Sequence, residues 1–318
     1  MEDGLATSQP TQPLISVVMA TYNRSNILGY AIQTVLAQTH ANWELIVVGD
    51  ACTDDSEAVV NAFGDLRIRF VNLSNNVGEQ SGPNNEGVRL AQGEYIAFLN
   101  HDDLWFSDHL QQALNHLLDT RSDFVWTLGV AIWPDGTPKL MGSSASLHYE
   151  PHVWAPASSW LMRRGALNRV GPWRSAWSCY AIPSHDWLYR AWKANLGMQL
   201  LPHVTLLAIQ SGNRPNSYRD RQYLEHARVF DAMKVPHYRE KMVTAVAHEC
   251  HATLYGLPQR SDIKLLRRKL FFALCRLFNA NPGAIANRLR WRRKGEQINI
   301  LRRLRGLESR KPRPNQDL

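Results

Sequence analysis

The run Glu94-Tyr95-Ile96-Ala97-Phe98-Leu99 is apolar after its first residue and leads without a break into Asn100-His101-Asp102-Asp103. Carboxylates delivered by an apolar strand suit a hard divalent cation, because Mg²⁺ and Mn²⁺ prefer oxygen ligands and complete their shell with water and substrate phosphates. An Asp-Asp pair also has a plainer use, capping the turn or helix that follows. Asp50 closes a second apolar run, Trp43 to Val48, and Asp186 opens a helical pattern in which an acid favours the helix dipole.

These acids must be positioned by elements, and the first hundred residues supply them in alternation. Leu14 to Ala20 is a β-branched, uncharged run, the pattern of a strand buried on both faces. It ends at Thr21-Tyr22-Asn23-Arg24, after which Ser25 or Asn26 caps a helix reaching Leu36. A strand over 43–48, a helix from Ser56 to Phe63, a strand over 68–73, a helix from Pro83 to Ala91 and a strand over 95–99 follow. Such alternation predicts βαβ units and a mainly parallel sheet, whose ligands bind at the carboxyl ends of the strands. Thr21, Asp50, Asn75 and Asp102 fall at those ends and outline a candidate nucleotide pocket. The second half is less regular: strands over 157–163 and 200–209, helices over 165–170 and 186–194, and a helical pattern from about Asp220 onward.

The chain resembles the family-two glycosyltransferases, which have the GT-A fold. The resemblance rests on Ser16-Val17-Val18-Met19-Ala20-Thr21-Tyr22-Asn23-Arg24, on Trp43 to Asp54, on Asn85-Glu86-Gly87, and on Ala91 through Asp103, in the family's order and spacing; it extends to about residue 215. It implies an α/β fold, a Rossmann-like mixed, mainly parallel sheet flanked by helices. It further implies an inverting transfer of sugar from a nucleotide-diphospho-sugar, UDP-linked in the common case, to a hydroxyl of a glycan or lipid-linked acceptor. By the same resemblance Ala20, Thr21, Tyr22, Arg24, Asn85 and His101 belong to the donor site, and Asp50 accepts a hydrogen bond from the base. Asp102 holds the Mn²⁺ or Mg²⁺ that bridges the diphosphate, Arg214 clamps phosphate, and Asp186 is the general base. The chain departs from the family pattern at Asn100, Gly49, Ala51-Cys52 and Asn84. A non-catalytic nucleotide-sugar-binding or scaffold protein with the same fold is the alternative; the presence of both Asp102 and Asp186 favours the enzyme.

Composition limits the rest. The 318 residues are 44% hydrophobic with 11 Trp, enough for a sizeable core, and Cys52, Cys179, Cys250 and Cys275 are scattered without a CxxC pair, which fits reduced thiols in the cytoplasm. The net charge of +8 is concentrated. Between Lys264 and Arg313 sixteen basic residues accompany only Glu296 and Glu308, so the charge belongs to one segment. Within it Ile263, Leu266, Leu270, Ala273, Leu274 and Leu277 recur at helical spacing, beside Phe271, Phe272, Phe278 and Trp291. This describes either an amphipathic basic helix lying on an anionic membrane surface or a helical extension packed on the catalytic domain. Nucleic acid is not an expected partner, because no reader motif accompanies the charge. The expected organisation is a disordered lead over 1–13, a catalytic domain over 14–220 (nucleotide half 14–105, acceptor half 106–220) and a helical basic extension over 221–318. The expected location is cytoplasmic, peripheral at the inner face of the membrane.

Overall fold

The computed structural model describes residues 12–255, 262–278, 280–291 and 293–310. The first eleven residues of the expected lead, the Pro-rich end of the basic tail and the side chains of Cys250, Ile263, Lys264 and Leu266 lie outside the described residues.

Nine strands form one sheet: β1 (Ile15–Thr21), β2 (Trp43–Gly49), β3 (Ile68–Asn72), β4 (Tyr95–Phe98), β5 (Asp103–Trp105), β6 (Phe124–Ile132), β7 (Pro138–Met141), β8 (Trp160–Arg163) and β9 (Met198–Ile209). Their order is β3-β2-β1-β4-β8-β6-β9-β5, with β7 paired to β6. The first four strands of that order are parallel, as the alternating sequence predicts. Beyond them β8 runs antiparallel to both β4 and β6, so the sheet is mixed.

The helices are α1 (Ser25–Leu36), α2 (Ser56–Asn61), α3 (Ser81–Leu90), α4 (His109–Asp119), α5 (Arg164–Val170), α6 (Pro183–Lys193), α7 (Ser217–Asp220), α8 (Leu224–Met233), α9 (Tyr238–Tyr255), α10 (Asp262–Leu277), α11 (Pro282–Trp291) and α12 (Glu296–Leu304). One face of the sheet is covered by the apolar sides of α1 and α4, with Leu28, Ile32, Val35, Leu110 and Leu114 against Val17, Met19, Leu45 and Val47. On the other face the large aromatic residues gather. Trp160 lies 5.3 Å from Trp173 and 5.6 Å from Trp187, and Phe98 lies 5.1 Å from Trp173. Aromatic burial of this size anchors α6 and the 171–178 loop to the back of β4 and β8.

Two elements differ from the sequence expectation. The strand expected over 157–163 is extended only from Trp160, because Ala157–Ser159 make a turn of 3₁₀ helix. The acid-rich turn after β4 leads directly into β5, where Asp103 pairs across from Ala208 of β9. The motif Asn85-Glu86-Gly87 is a packing device: a Cβ at Gly87 would come within 2.3 Å of Val18 Cγ1, so only glycine lets α3 lie this close to β1. Asn85 then bridges to the loop ahead, donating to Trp173 O and accepting from Trp173 N–H, each at 2.9 Å.

Candidate active site

The carboxyl ends of β1, β2 and β4 open into a cavity of about 330 Å³, within the range of small-molecule sites. Its wall includes Ala20, Thr21 and Tyr22 after β1, Asp50 after β2, Asn100 to Asp103 after β4, and Ile182 to Ser184 at the amino end of α6. Thus Ala20, Thr21, Tyr22, Asp50, His101 and Asp102, six of the residues singled out in the sequence, come together. Asn75 is exposed and is not among the residues of the cavity wall.

At one end of the cavity Asp50 is held by the loop that follows β3. Val77 N–H and Gly78 N–H donate to its two carboxylate oxygens at 2.6 and 2.8 Å, leaving one lone pair on each for a ligand. Burial raises its pKa above the usual carboxylate value, against those two bonds and the nearby Arg310 and Arg302.

The two adjacent acids have different environments. Asp103 is buried and its Oδ2 accepts from Ser158 Oγ at 2.5 Å and Asn100 Nδ2 at 2.9 Å. Burial and the neighbouring Asp102 charge push its pKa up to about 8, so near neutral pH it is protonated and holds the turn. Asn100 therefore works on the turn: its amide donates to Asp103, where a third carboxyl group would supply no such donor when ionised. Asp102 faces the cavity, and its carboxylate makes no hydrogen bond among the described residues. Burial opposes its ionisation, yet His101, Arg305, His226 and Arg24 around it hold its pKa below the usual value. Burial also keeps His101 and His226 neutral, so at neutral pH the lasting cations beside Asp102 are Arg305 and Arg24. His101 Nδ1 donates to Ala20 O at 3.1 Å, which leaves Nε2 as a buried lone pair without a partner.

Four other residues expected in the site stand off the cavity wall. Arg24 is buried beneath it, donating to Ser217 O at 2.7 Å and Ser211 Oγ at 3.3 Å and lying 4.9 Å over the Tyr218 ring. Asn85 is taken up by Trp173. Arg214 is paired with Glu225 and donates to Pro134 O, so its guanidinium points away. Asp186, on the first turn of α6, accepts from Arg190 Nε at 2.8 Å, with Arg174 at 3.9 Å. Wall residues that the sequence did not single out include Glu79, Tyr218, Arg302 and Arg305. Glu79 is buried, which raises its pKa against hydrogen bonds from Ser81 and Ala176. The two arginines lie in the basic run, but no spacing within it picks them from the rest.

Among the described residues no three His, Cys, Asp or Glu side chains are placed to hold a metal together. The chemistry of the cavity still fits a hard cation held in the manner of Mg²⁺, by one free carboxylate, Asp102, with the other positions left to phosphate oxygens and water.

The family model described as glycosyl transferase family 2 matches residues 16–169. The putative teichuronic acid biosynthesis glycosyltransferase TuaG of Bacillus subtilis is 34% identical over 143 residues, 44% of this chain and 56% of that protein. The UDP-Glc:alpha-D-GlcNAc-diphosphoundecaprenol beta-1,3-glucosyltransferase WfgD of Escherichia coli is 34% identical over 114 residues, 36% of this chain and 44% of that protein. The match therefore spans about half the length of these relatives. Among solved structures, residues 1–349 of S. aureus TarS align with a TM-score of 0.54 and 16% identity, over 90% of this chain and 82% of that one. The mannosyltransferase PcManGT of Pyrobaculum calidifontis, in complex with GDP-Man and Mn²⁺, aligns with a TM-score of 0.53 and 16% identity, over 89% and 88%. At that identity the structural likeness concerns the fold, which is the GT-A fold. Sequence match, strand order and the polar strand ends agree over residues 16–169, the part of the chain that matches glycosyl transferase family 2.

Proposed function

We propose that the protein is an inverting glycosyltransferase that moves a sugar from a UDP-sugar to a hydroxyl of a glycan or lipid-linked acceptor at the inner face of the membrane. The observation that carries this reading is the division of the cavity: Asp50 and its loop at one end, Asp102 in the middle, and the amino end of α6 opposite. The base of the nucleotide lies against Asp50, and its ribose against Thr21 and Tyr22. The anomeric carbon faces the α6 side, where the acceptor oxygen forms its new bond as the bond to the diphosphate oxygen breaks. Asp186 takes the acceptor proton. A divalent cation held by Asp102 supplies charge neutralisation on the leaving diphosphate when bound. The relative whose name specifies a diphosphoundecaprenol acceptor supports the lipid-linked choice.

Membrane contact is the second part of the proposal. Leu270, Leu274, Leu277 and Phe278, at helical spacing on and just after α10, are 58%, 44%, 75% and 72% exposed, an apolar stripe flanked by basic residues. Among the described residues no helix is long and apolar enough to cross a membrane.

A nucleotide-sugar-binding protein without turnover is favoured by one observation, the engagement of Asp186 by Arg190 away from the cavity wall. Calorimetric titration with UDP-, GDP- and dTDP-sugars, with and without Mn²⁺ or Mg²⁺, followed by a transfer assay, separates the readings. UDP-sugar binding strengthened by metal, with release of UDP on adding acceptor, is expected. Binding without any UDP release supports the second reading, and no binding of any sugar nucleotide removes both.

A further inference from the structure

The cavity has a wall from outside the family-matched region. Ile298, Leu301, Arg302, Arg305 and Leu307, all on α12 or the turn after it, line it together with the strand ends. Four independent contacts seat this segment. The carbonyls of Leu304 and Arg305, which a helix end leaves without intrahelical donors, accept from Asn216 N–H at 2.7 Å and Tyr218 N–H at 3.2 Å. Arg302 donates to Gly78 O at 3.0 Å, and Arg310 donates to Asn76 O. These two arginines thus fasten the loop whose N–H groups hold Asp50. The catalytic domain is glycine where the arginines cross it: a Cβ at Gly78 would meet Arg310 Cδ at 2.8 Å, and one at Gly212 would meet Arg305 Nη2 at 3.0 Å.

Arg305 differs from its neighbours. Arg302 and Arg310 spend their donors on backbone carbonyls, and Arg214 and Arg221 are paired with acids. Arg305 has a single long hydrogen bond, to Gly212 O at 3.3 Å, and no acidic partner among the described residues. It lies flat against Gly212 and 5.6 Å from the Tyr218 ring, on the cavity wall that Asp102 also lines. A guanidinium with unused donors, beside the one free carboxylate of the site, has the geometry to take two oxygens of a diphosphate in parallel.

We propose that Arg305, delivered by α12, binds the diphosphate of the donor, so that the C-terminal segment is part of the donor site. This rests on the donor reading above. Arg305 fills the place that the resemblance gave to Arg214, and it adds a fixed positive charge beside whatever cation Asp102 holds.

The test compares nucleoside diphosphate with nucleoside on the full chain. Wild type, Arg305→Ala and Arg305→Lys are titrated with UDP and with uridine at low and moderate salt. We expect Arg305→Ala to weaken UDP by about tenfold or more, the scale of a charge-assisted pair, while uridine changes by less than about twofold. Arg305→Lys should fall between, and the salt dependence of UDP binding should be shallower in Arg305→Ala than in wild type. Unchanged UDP affinity in Arg305→Ala overturns the proposal, and so does equal loss of UDP and uridine, which marks Arg305 as a prop for the wall. If the wild type binds none of UDP, GDP or dTDP, the donor reading itself fails and takes this one with it.

Discussion

At the scale of single residues, one side chain's task is decided by what surrounds it. Asp102 and Asp103 are neighbours of identical chemistry, but one faces the cavity ionised and the other is buried, protonated near neutrality and bonded to Ser158 and Asn100. The same logic sets Asp186, the proposed base, apart from Glu79, a buried carboxyl group on the cavity wall. If Asp186 is the base, Asp186→Asn lowers turnover by about 10² to 10⁴ with donor binding kept, whereas Glu79→Gln keeps turnover. A multiple-turnover assay that finds the reverse pattern moves the role to Glu79, which already lines the cavity.

His109 gives a residue-scale prediction about stability. Thr205 Oγ1 donates to Thr127, so it accepts from His109 Nδ1 at 2.7 Å, and Nε2 is left buried without a partner against the face of Trp105. Burial lowers the pKa from 6.5 to about 3. A depressed folded pKa contributes stability that is present above the unfolded value and lost as pH falls from about 6.5 through about 3. His109→Phe should therefore be less stable than wild type at pH 7.5, yet show a shallower fall in melting temperature below pH 6. The limiting slope removed is about 1.4 kcal/mol per pH unit. Parallel melting curves for the two proteins over that range would contradict this account.

At the scale of elements, close approach is made by glycine and closed by long side chains. Gly295 begins α12 with φ +73°, and a Cβ there would meet the buried Trp177 ring at 2.3 Å. Gly295→Ala combines a left-handed backbone with an overpacked contact, a cost of roughly 1–3 kcal/mol. The expected result is faster amide exchange across 296–305 with protection of β1 and β4 unchanged, together with weaker UDP binding. Uniform loss of protection would mean that α12 and the sheet unfold as one unit.

For the whole molecule, the C-terminal segment turns charge toward the cavity and apolar side chains toward solvent. Near the end of the basic run Arg302 and Arg305 line the cavity and Arg310 donates to Asn76 O in the loop that holds Asp50, while Leu270, Leu274, Leu277 and Phe278 are exposed. Vesicles containing anionic lipid should sediment the wild type but release a Leu277→Ser, Phe278→Ser double variant, with UDP affinity unaffected. Equal sedimentation of both proteins removes α10 as the contact.

Much of this was legible locally. Apolar runs closed by Thr21, Asp50 and Asn100 to Asp103 specify strands with polar ends, since a buried parallel strand needs β-branched residues on both faces and its ligand groups lie beyond its carboxyl end. The Asn85-x-Gly87 pattern was legible as a motif, while its physical use, bridging Trp173 and crossing Val18, depends on partners distant in the chain. The family resemblance placed Arg214 beside a phosphate, and local pattern left Arg305 in an undifferentiated basic run. Hydrogen bonds spanning 93 residues to Gly212, 224 to Gly78 and 234 to Asn76 decide otherwise. By itself the sequence determined the family resemblance, the parallel half of the sheet and the acidic ends of its strands, because periodicity and motif act within a few residues. Only the tertiary structure decided which acid is free, which is protonated and which arginine closes the site, because burial and charge are set by whatever distant segments the fold packs together.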